Sequence, residues 1–203
     1  MLSLLIMKQV QIYLNVLGAK LEPDGVVGPM TIAALEKYLP EKPQKGIVWV
    51  RCDERLTNTY DDFGVLFVGG RVTSVFPCST TAGSHYVKNP ITYAGITGTA
   101  IACRQKVVGS HTFHTNSNWK SLWLGAPYFQ QTKSIKIYRD GNKDDVIDKN
   151  IVTEGLFGIN LHRAGLGSFV DRWSAGCQVV PDKYWFNVVK YFKNGEVIDF
   201  ILI

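Results

Sequence analysis

Near the C-terminal end of the chain an imidazole and a thiol, His162 and Cys177, stand close together in sequence. A thiolate is the strongest nucleophile among ordinary side chains, but a free thiol is mostly protonated at neutral pH. A neighbouring imidazole can take that proton during attack and return it to a leaving amine. The local sequence suits such a pair. Gly158-Ile-Asn-Leu-His162-Arg163 reads as the end of a strand, and Trp173-Ser174-Ala175-Gly176-Cys177-Gln178 as a turn leading into the nucleophile. Glycine before a nucleophile lets substrate approach the backbone, and successive N–H groups there form an oxyanion hole. The competing reading makes Cys177 a small buried hydrophobe and His162 a core histidine, the commoner fate of an arbitrary Cys/His pair.

Other groups carry weaker signals. His111 and His114 lie in Gly109-Ser-His-Thr-Phe-His-Thr, where a metal needs a third ligand and none is recognisable. A cleft-lining role for either is the alternative to a polar loop. Asp140, Asn142, Asp144 and Asp148 space oxygens as a calcium loop does, but Asp145 stands where the loop wants glycine, and no glutamate closes it. An acidic surface turn is the favoured reading, and no cofactor or metal is expected. Trp119, Trp123, Tyr128 and Phe129 form an aromatic cluster that reads as core before it reads as a groove. His85 is assigned nothing. The four cysteines, Cys52, Cys78, Cys103 and Cys177, include no C-x-x-C pair, so a zinc or redox motif is not expected, nor is a disulfide.

These groups need elements to hold them. Residues 1–39 read as a small helical unit: Ile6, Val10, Leu14 and Leu17 fall on one helix face, and Gly18 suits a left-handed cap. Pro23-Asp24-Gly25 is a turn, and a second helix starts at Pro29 with Ile32, Leu35 and Leu39 as its stripe. Residues 40–46, Pro-Glu-Lys-Pro-Gln-Lys-Gly, have linker composition. Residues 47–203 then form a second, mainly β domain. Ile47–Cys52, Gly64–Val68, Val72–Phe76, Thr99–Cys103, Ser134–Tyr138, Leu156–Leu161 and Val197–Ile203 are its expected strands. A helix capped by Asp182 carries Trp185, Val188, Val189 and Phe192 and stops at Gly195.

The chain's 203 residues, 46% apolar and 19% charged, suffice for one or two packed domains and exclude disorder or a disulfide scaffold. No apolar run is long enough to span a membrane. The net charge of +5 fits an anionic partner without selecting one, and neither N-terminal helix carries a basic stripe, so nucleic acid is not expected. The apolar Met1–Met7 run precedes Lys8 and lacks a cleavage pattern, so no signal peptide is expected. The chain is expected to be made in the cytoplasm and to act after release or delivery.

His162 with Ser174-Ala-Gly176-Cys177 resembles the signature of the L,D-transpeptidase catalytic-domain family (YkuD-type). Residues 7–39 resemble the peptidoglycan-binding domain of wall hydrolases, through Val10-Gln11-Ile-Tyr-Leu14, Asp24-Gly25-Val-Val-Gly28-Pro-Met-Thr31 and Ala34-Leu35. The resemblance implies a mixed β-sandwich or barrel with a packed helix. It makes Cys177 the nucleophile, His162 the base, Gly176 and Cys177 the oxyanion donors, Ser174 the brace of the loop, and the Arg163 carbonyl the group that orients the histidine ring. Arg163, Ala175 and Val179 depart from the pattern, and the last two remove charges that would meet substrate carboxylates. Arg163 and Arg172 are the expected replacements, since an arginine fork matches a carboxylate, and His111 is the third candidate for substrate binding.

The implied protein is a monomeric, peptidoglycan-active cysteine enzyme anchored by its helical unit across a short linker. A peptidase of endolysin-like plan is preferred. A crosslinking L,D-transpeptidase and a non-catalytic wall-binding component are the alternatives.

Overall fold

A computed structural model describes residues 2–116 and 125–203. In chain order its elements begin with α1 (Leu2–Val16), α2 (Pro29–Tyr38), β1 (Lys45–Val50), β2 (Asp62–Val68), β3 (Arg71–Cys78) and α3 (Ser84–Lys88). There follow β4 (Thr92–Tyr93), β5 (Ile96–Thr97), β6 (Thr99–Ala102), β7 (Gln105–His114), β8 (Tyr128–Gln131) and β9 (Ile135–Asp140). The last are β10 (Val152–Gly155), β11 (Leu161–Arg163), β12 (Gln178–Val180), α4 (Asp182–Val189) and β13 (Val197–Leu202).

Eight strands form one sheet in the order β12-β11-β8-β7-β13-β1-β2-β3. Its edges meet, because Ser79, just past β3, exchanges both backbone hydrogen bonds with Val179 of β12, at 2.9 and 3.0 Å. The sheet thereby closes almost into a barrel, and β12 sits at the seam. Two pairs are parallel, β1 with β13 and β11 with β12, so the sheet is mixed. Strands β10, β9 and β6 make a second, three-stranded sheet, and β4 pairs with β5. The expected mainly β architecture with a packed helix is what forms.

Strand β1 shows why its sequence is apolar throughout. Ile47 and Trp49 point into the main core with Phe76, Phe129, Phe200 and the α4 residues Trp185, Val188 and Val189. Val48 and Val50 point the other way, into a cluster with Ile6, Val10, Leu14 and Leu35 of the N-terminal helices. A strand covered on both faces loses the alternation of a half-exposed one. Gly64 of β2 pairs with Trp49, and a Cβ there would collide with the Phe76 ring.

The helical unit is therefore not a core closed on itself. The stripe Ile6, Val10 and Leu14 buries as expected, but against the barrel's outer face. Leu17 falls beyond the helix and is exposed, and in α2 Thr31 and Ala34 are buried where Ile32 is not. The expected linker is shortened because β1 begins at Lys45, and Glu36 of α2 pairs with Arg71 and accepts the Val72 N–H. This docking holds the helices on the barrel instead of tethering them loosely.

The Asp24-Gly25 turn is held by one buried side chain. Gln11 donates to Asp24 Oδ1 (2.7 Å) and the Val26 carbonyl (3.2 Å), and accepts the Gly25 N–H (2.8 Å). Gly25 has φ 80, and a Cβ there would meet Leu4. Replacing Gln11 by alanine strands several of these groups, so Gln11→Ala should lower the free energy of unfolding by about 2–3 kcal/mol, read by urea titration.

Two sequence expectations change. Only the end of Leu156–Leu161 is strand, because Gly158 adopts φ 71 and residues before it run as loop. Asp182 does not cap α4; Pro181 precedes the helix, and the Asp182 carboxylate accepts from Arg163 instead. Strands β4, β5, β7, β8, β10 and β12 and the short helix α3 were not anticipated. Trp119 and Trp123 lie outside the described residues, while Tyr128 and Phe129 are buried in the barrel. Among the described residues no helix is long and apolar enough to cross a membrane.

Candidate active site

The site is built by two short parallel strands. β11 and β12 pair Leu161 with Gln178 and His162 with Val179. Continued back by one residue, this register sets Cys177 across from Asn160, and the Gln178 N–H donates to the Asn160 carbonyl at 3.1 Å. Residues two apart on a strand share a face, so His162 and Cys177 project from one face of adjacent strands. Val179 and Cys177 accordingly pack with Ala164, Tyr60 and Val170, while Leu161 and Val180 face the main core.

The His162 ring is oriented by its neighbour's backbone. Nδ1 lies 2.7 Å from the Arg163 carbonyl. A carbonyl only accepts, so Nδ1 carries the proton, and in the neutral ring the lone pair is on Nε2. Burial holds the ring's pKa down at about 4 and raises the Cys177 thiol to about 11, against partial relief from the Asn160 N–H. At neutral pH the resting pair is thus thiol and imidazole, not thiolate and imidazolium. The sulfur accepts the Asn160 N–H and donates to the Gly158 carbonyl, both at 3.4 Å.

The turn before Cys177 is braced from inside. Ser174 is fully buried; its hydroxyl oxygen accepts the Gly176 N–H at 3.1 Å and lies 2.7 Å from the Cys177 carbonyl and 3.1 Å from that of Thr81. The hydroxyl thereby engages the Gly176 N–H, one of the two donors expected to form an oxyanion hole. Gly176 has another reason to be glycine: its φ is 134, and a Cβ would run into the Ala100 carbonyl. Gly176→Ala should therefore destabilise the fold by about 3 kcal/mol or more. It should also cut turnover on the order of 100-fold by displacing the thiol, as thermal melts and rate measurements would register.

The expected substrate-binding residues lie elsewhere. Alternation along β11 turns Arg163 away from His162, toward α4, where Nη1 binds Asp182 at 2.8 Å. Arg172 is exposed on the loop before Ser174. His111 is fully buried on β7, stacked on Phe200. Its Nε2 lies 2.8 Å from the Ile159 carbonyl and its Nδ1 3.0 Å from Ser110 Oγ. Both nitrogens are occupied, and burial holds the ring neutral with a pKa of about 4. His111 is therefore no substrate ligand. With Gln131, its partner in register on β8, it clasps the loop that meets the thiol. Gln131 accepts the N–H groups of Phe157 and Ile159 and donates to the Gly155 carbonyl. His114 stacks on Tyr128.

In the acidic turn each of the four side chains accepts a hydrogen bond from a nearby backbone N–H, Asn142 from that of Asp144. Asp140 accepts the Asp148 N–H, Asp144 the Val146 N–H and Asp148 the Asn150 N–H. Among the described residues no group of three His, Cys, Asp or Glu side chains is placed to hold a metal.

A cleft of about 110 Å³ ends on Cys177, lined also by Gly158, Ala175, Tyr93, Phe157 and Arg139. Ile159, a residue of the main core, and Ala100 and Phe157, packed against that core, line its inner wall. Sequence reasoning missed Arg139 and Gln131. Arg139 did carry a signal: it continues the inward parity of Ile135 and Ile137.

Among solved structures the chain is similar to that of an L,D-transpeptidase from Xylanimonas cellulosilytica. The identity is 16%, the TM-score 0.41, and the match covers 98% of this chain and 78% of that one. No protein-family model matches the chain, and no curated protein matches it.

Proposed function

We propose that the chain is a cysteine enzyme acting on peptidoglycan stem peptides, with Cys177 as nucleophile and His162 as general base. The observation that carries this reading is the placement of a buried thiol and a backbone-oriented imidazole on one face of adjacent parallel strands, with a cleft opening on the thiol. The polymer is assigned by the resemblance of the His162, Ser174–Cys177 and residue 7–39 motifs.

In the first half-reaction Sγ attacks a stem-peptide carbonyl and His162 Nε2 takes the thiol proton. The carbonyl oxygen gathers negative charge within reach of the Cys177 N–H. The intermediate collapses, the C–N bond breaks, and His162 returns the proton to the departing amine, leaving a thioester. In the second, water attacks that thioester, His162 takes a proton from the water, and the thiol is reprotonated as the acid is released. The reading is thus a wall peptidase of endolysin-like plan, with the outer, exposed side of the docked α1–α2 pair contributing wall contact. An amine in place of water would make the same thioester a crosslink.

Incubating the protein with peptidoglycan and a free D-amino acid, then weighing the products, separates these fates. Stems shortened with only water added support the peptidase. Stems bearing the D-amino acid, or new crosslinks, replace it with a transpeptidase. Wall binding without any product removes the catalytic reading.

A further inference from the structure

Strand β9 alternates as a half-buried strand should, with Ile135 and Ile137 turned inward, and the next residue of that parity is Arg139, only 4% exposed. A guanidinium stays charged in proteins and offers five donors, so burying it is costly unless an anion or several acceptors meet it. Arg51, also deeply buried, has such a solution: it donates to Thr80 Oγ1 and to the carbonyls of Thr80 and Ala102, and the Asp62 carboxylate attracts it. Arg139 has none of comparable kind. Among the described residues no carboxylate lies within 4 Å of it, and its side-chain hydrogen bond, Nε to Thr153 Oγ1, is long at 3.4 Å.

What holds it is aromatic. The guanidinium carbon lies 4.8 Å from the Phe157 ring centre and 5.6 Å from that of Tyr93. Ring faces fix a cation in place without neutralising it. All three side chains line the cleft that ends on Cys177. The path to the thiol is short on both sides. Phe157 precedes Gly158, whose carbonyl takes the thiol's hydrogen bond, and Ala100, the register partner of Arg139, abuts Gly176.

We infer that Arg139 is the anion-binding residue of this cleft and seats a carboxylate of the acyl donor beside the Cys177 thiol. An arginine fork matches a carboxylate with two parallel hydrogen bonds. The cleft, about 110 Å³, is smaller than the roughly 150 Å³ that admits a benzene ring, so the group it takes is small. The site supplies the carboxylate partner that neither Arg163, turned toward α4, nor the buried Val179 provides. The identity of the donor as a stem peptide rests on the proposed function; the anion site itself does not.

Two alkylating probes test it on the intact protein: iodoacetate, which is anionic, and iodoacetamide, which is neutral. With either, Sγ displaces iodide from the methylene carbon and the thiol proton passes to His162 or buffer. Labelling of Cys177 is followed by peptide mass, apart from the other three cysteines. The ratio of the iodoacetate to the iodoacetamide rate should exceed that of a small free thiol by about tenfold. It should fall to the free-thiol value in Arg139→Met and stay partly raised in Arg139→Lys. A wild-type ratio no higher than the free thiol's, or one unchanged in Arg139→Met, overturns the inference. Should the methionine variant fail to fold, the wild-type ratio and the lysine variant still decide. A second arm compares a wall peptide with its carboxyl-amidated form. Lost preference for the acid in Arg139→Met upholds the site. Iodoacetate preference with no reaction on any wall peptide upholds it too, and refutes the wall reading alone.

Discussion

Cys177→Ala is expected to remove product formation from peptidoglycan, by a factor on the order of 10⁴ or more, and to leave the fold in place. The chemistry accounts for the size of the effect. Without sulfur no thioester forms, and the imidazole and backbone donors that remain only assist water. The structure accounts for the survival of the fold. The sulfur's own contacts are two long hydrogen bonds of 3.4 Å, to the Asn160 N–H and the Gly158 carbonyl. Ser174, which braces the turn, and Gln131 and His111, which clasp the facing loop, are untouched. Replacing the thiol by hydrogen should cost about 1 kcal/mol. Cys177→Ser is the sharper comparison, because a hydroxyl keeps both hydrogen-bonding roles and ionises far less readily, so it should be nearly as inactive and at least as stable. Amine release measured beside thermal melts separates the two effects, and an alanine variant that still released amine would end the assignment of Cys177.

Particular residues show how far the sequence could be read. The Ser174–Cys177 turn and His162 were legible because they are contiguous or nearly so, and a short strand register is enough to bring them together. Asp24 and Gly25 were legible as a turn, and Thr31 as part of a helix start, for the same reason. What local spacing cannot contain is the closure of the sheet. Gln131 acts on residues 155–159 because β8 lies beside β11, and His111 reaches Ile159 because β7 lies beside β8. His111 stood out in sequence as a loop histidine for a substrate, yet the ten-residue strand that carries it contains Gly109 and Ser110, which broke the strand pattern and hid its burial. Arg163 was offered to the substrate on type alone, and strand alternation sends it to the other face. Arg139 was the converse case. Its parity with Ile135 and Ile137 marks a charge on an inward face, and reading that parity for charged residues as well as apolar ones would have found it. The helical unit was correctly read as two helices, but which surface their stripes would cover depends on Val48, Val50 and Phe63, residues of a sheet whose second buried face appears only once β1 is known to lie between β13 and β2.

The pH profile of turnover is expected to be broad, with its acid limb at about pH 4 and not near the 6.5 of an exposed imidazole. The resting pair is a thiol held up at about 11 and an imidazole held down at about 4, both by burial. Acid removes the base by protonating the pair, alkali removes its transferable proton, and between those limits one protonation state serves the whole cycle; the two limbs belong to the pair as a unit. His162→Gln should lower the plateau by roughly 10²- to 10⁴-fold and abolish the acid limb. An acid limb close to 6.5 in the wild type would mean a solvated ring and would overturn the neutral-pair mechanism. Stability must be followed alongside, because the same burial has a second consequence. His162 and His111 both titrate lower in the fold than in the unfolded chain, which therefore binds more protons between about pH 6.5 and 4. Stability is then complete above the unfolded value and declines as pH falls toward the folded one, by about 3 kcal/mol for each ring. Circular dichroism at each pH of the rate profile separates loss of the base from loss of the fold. His162→Gln also divides the two histidines, since it should remove about half of the acid sensitivity of stability and leave the share that belongs to His111.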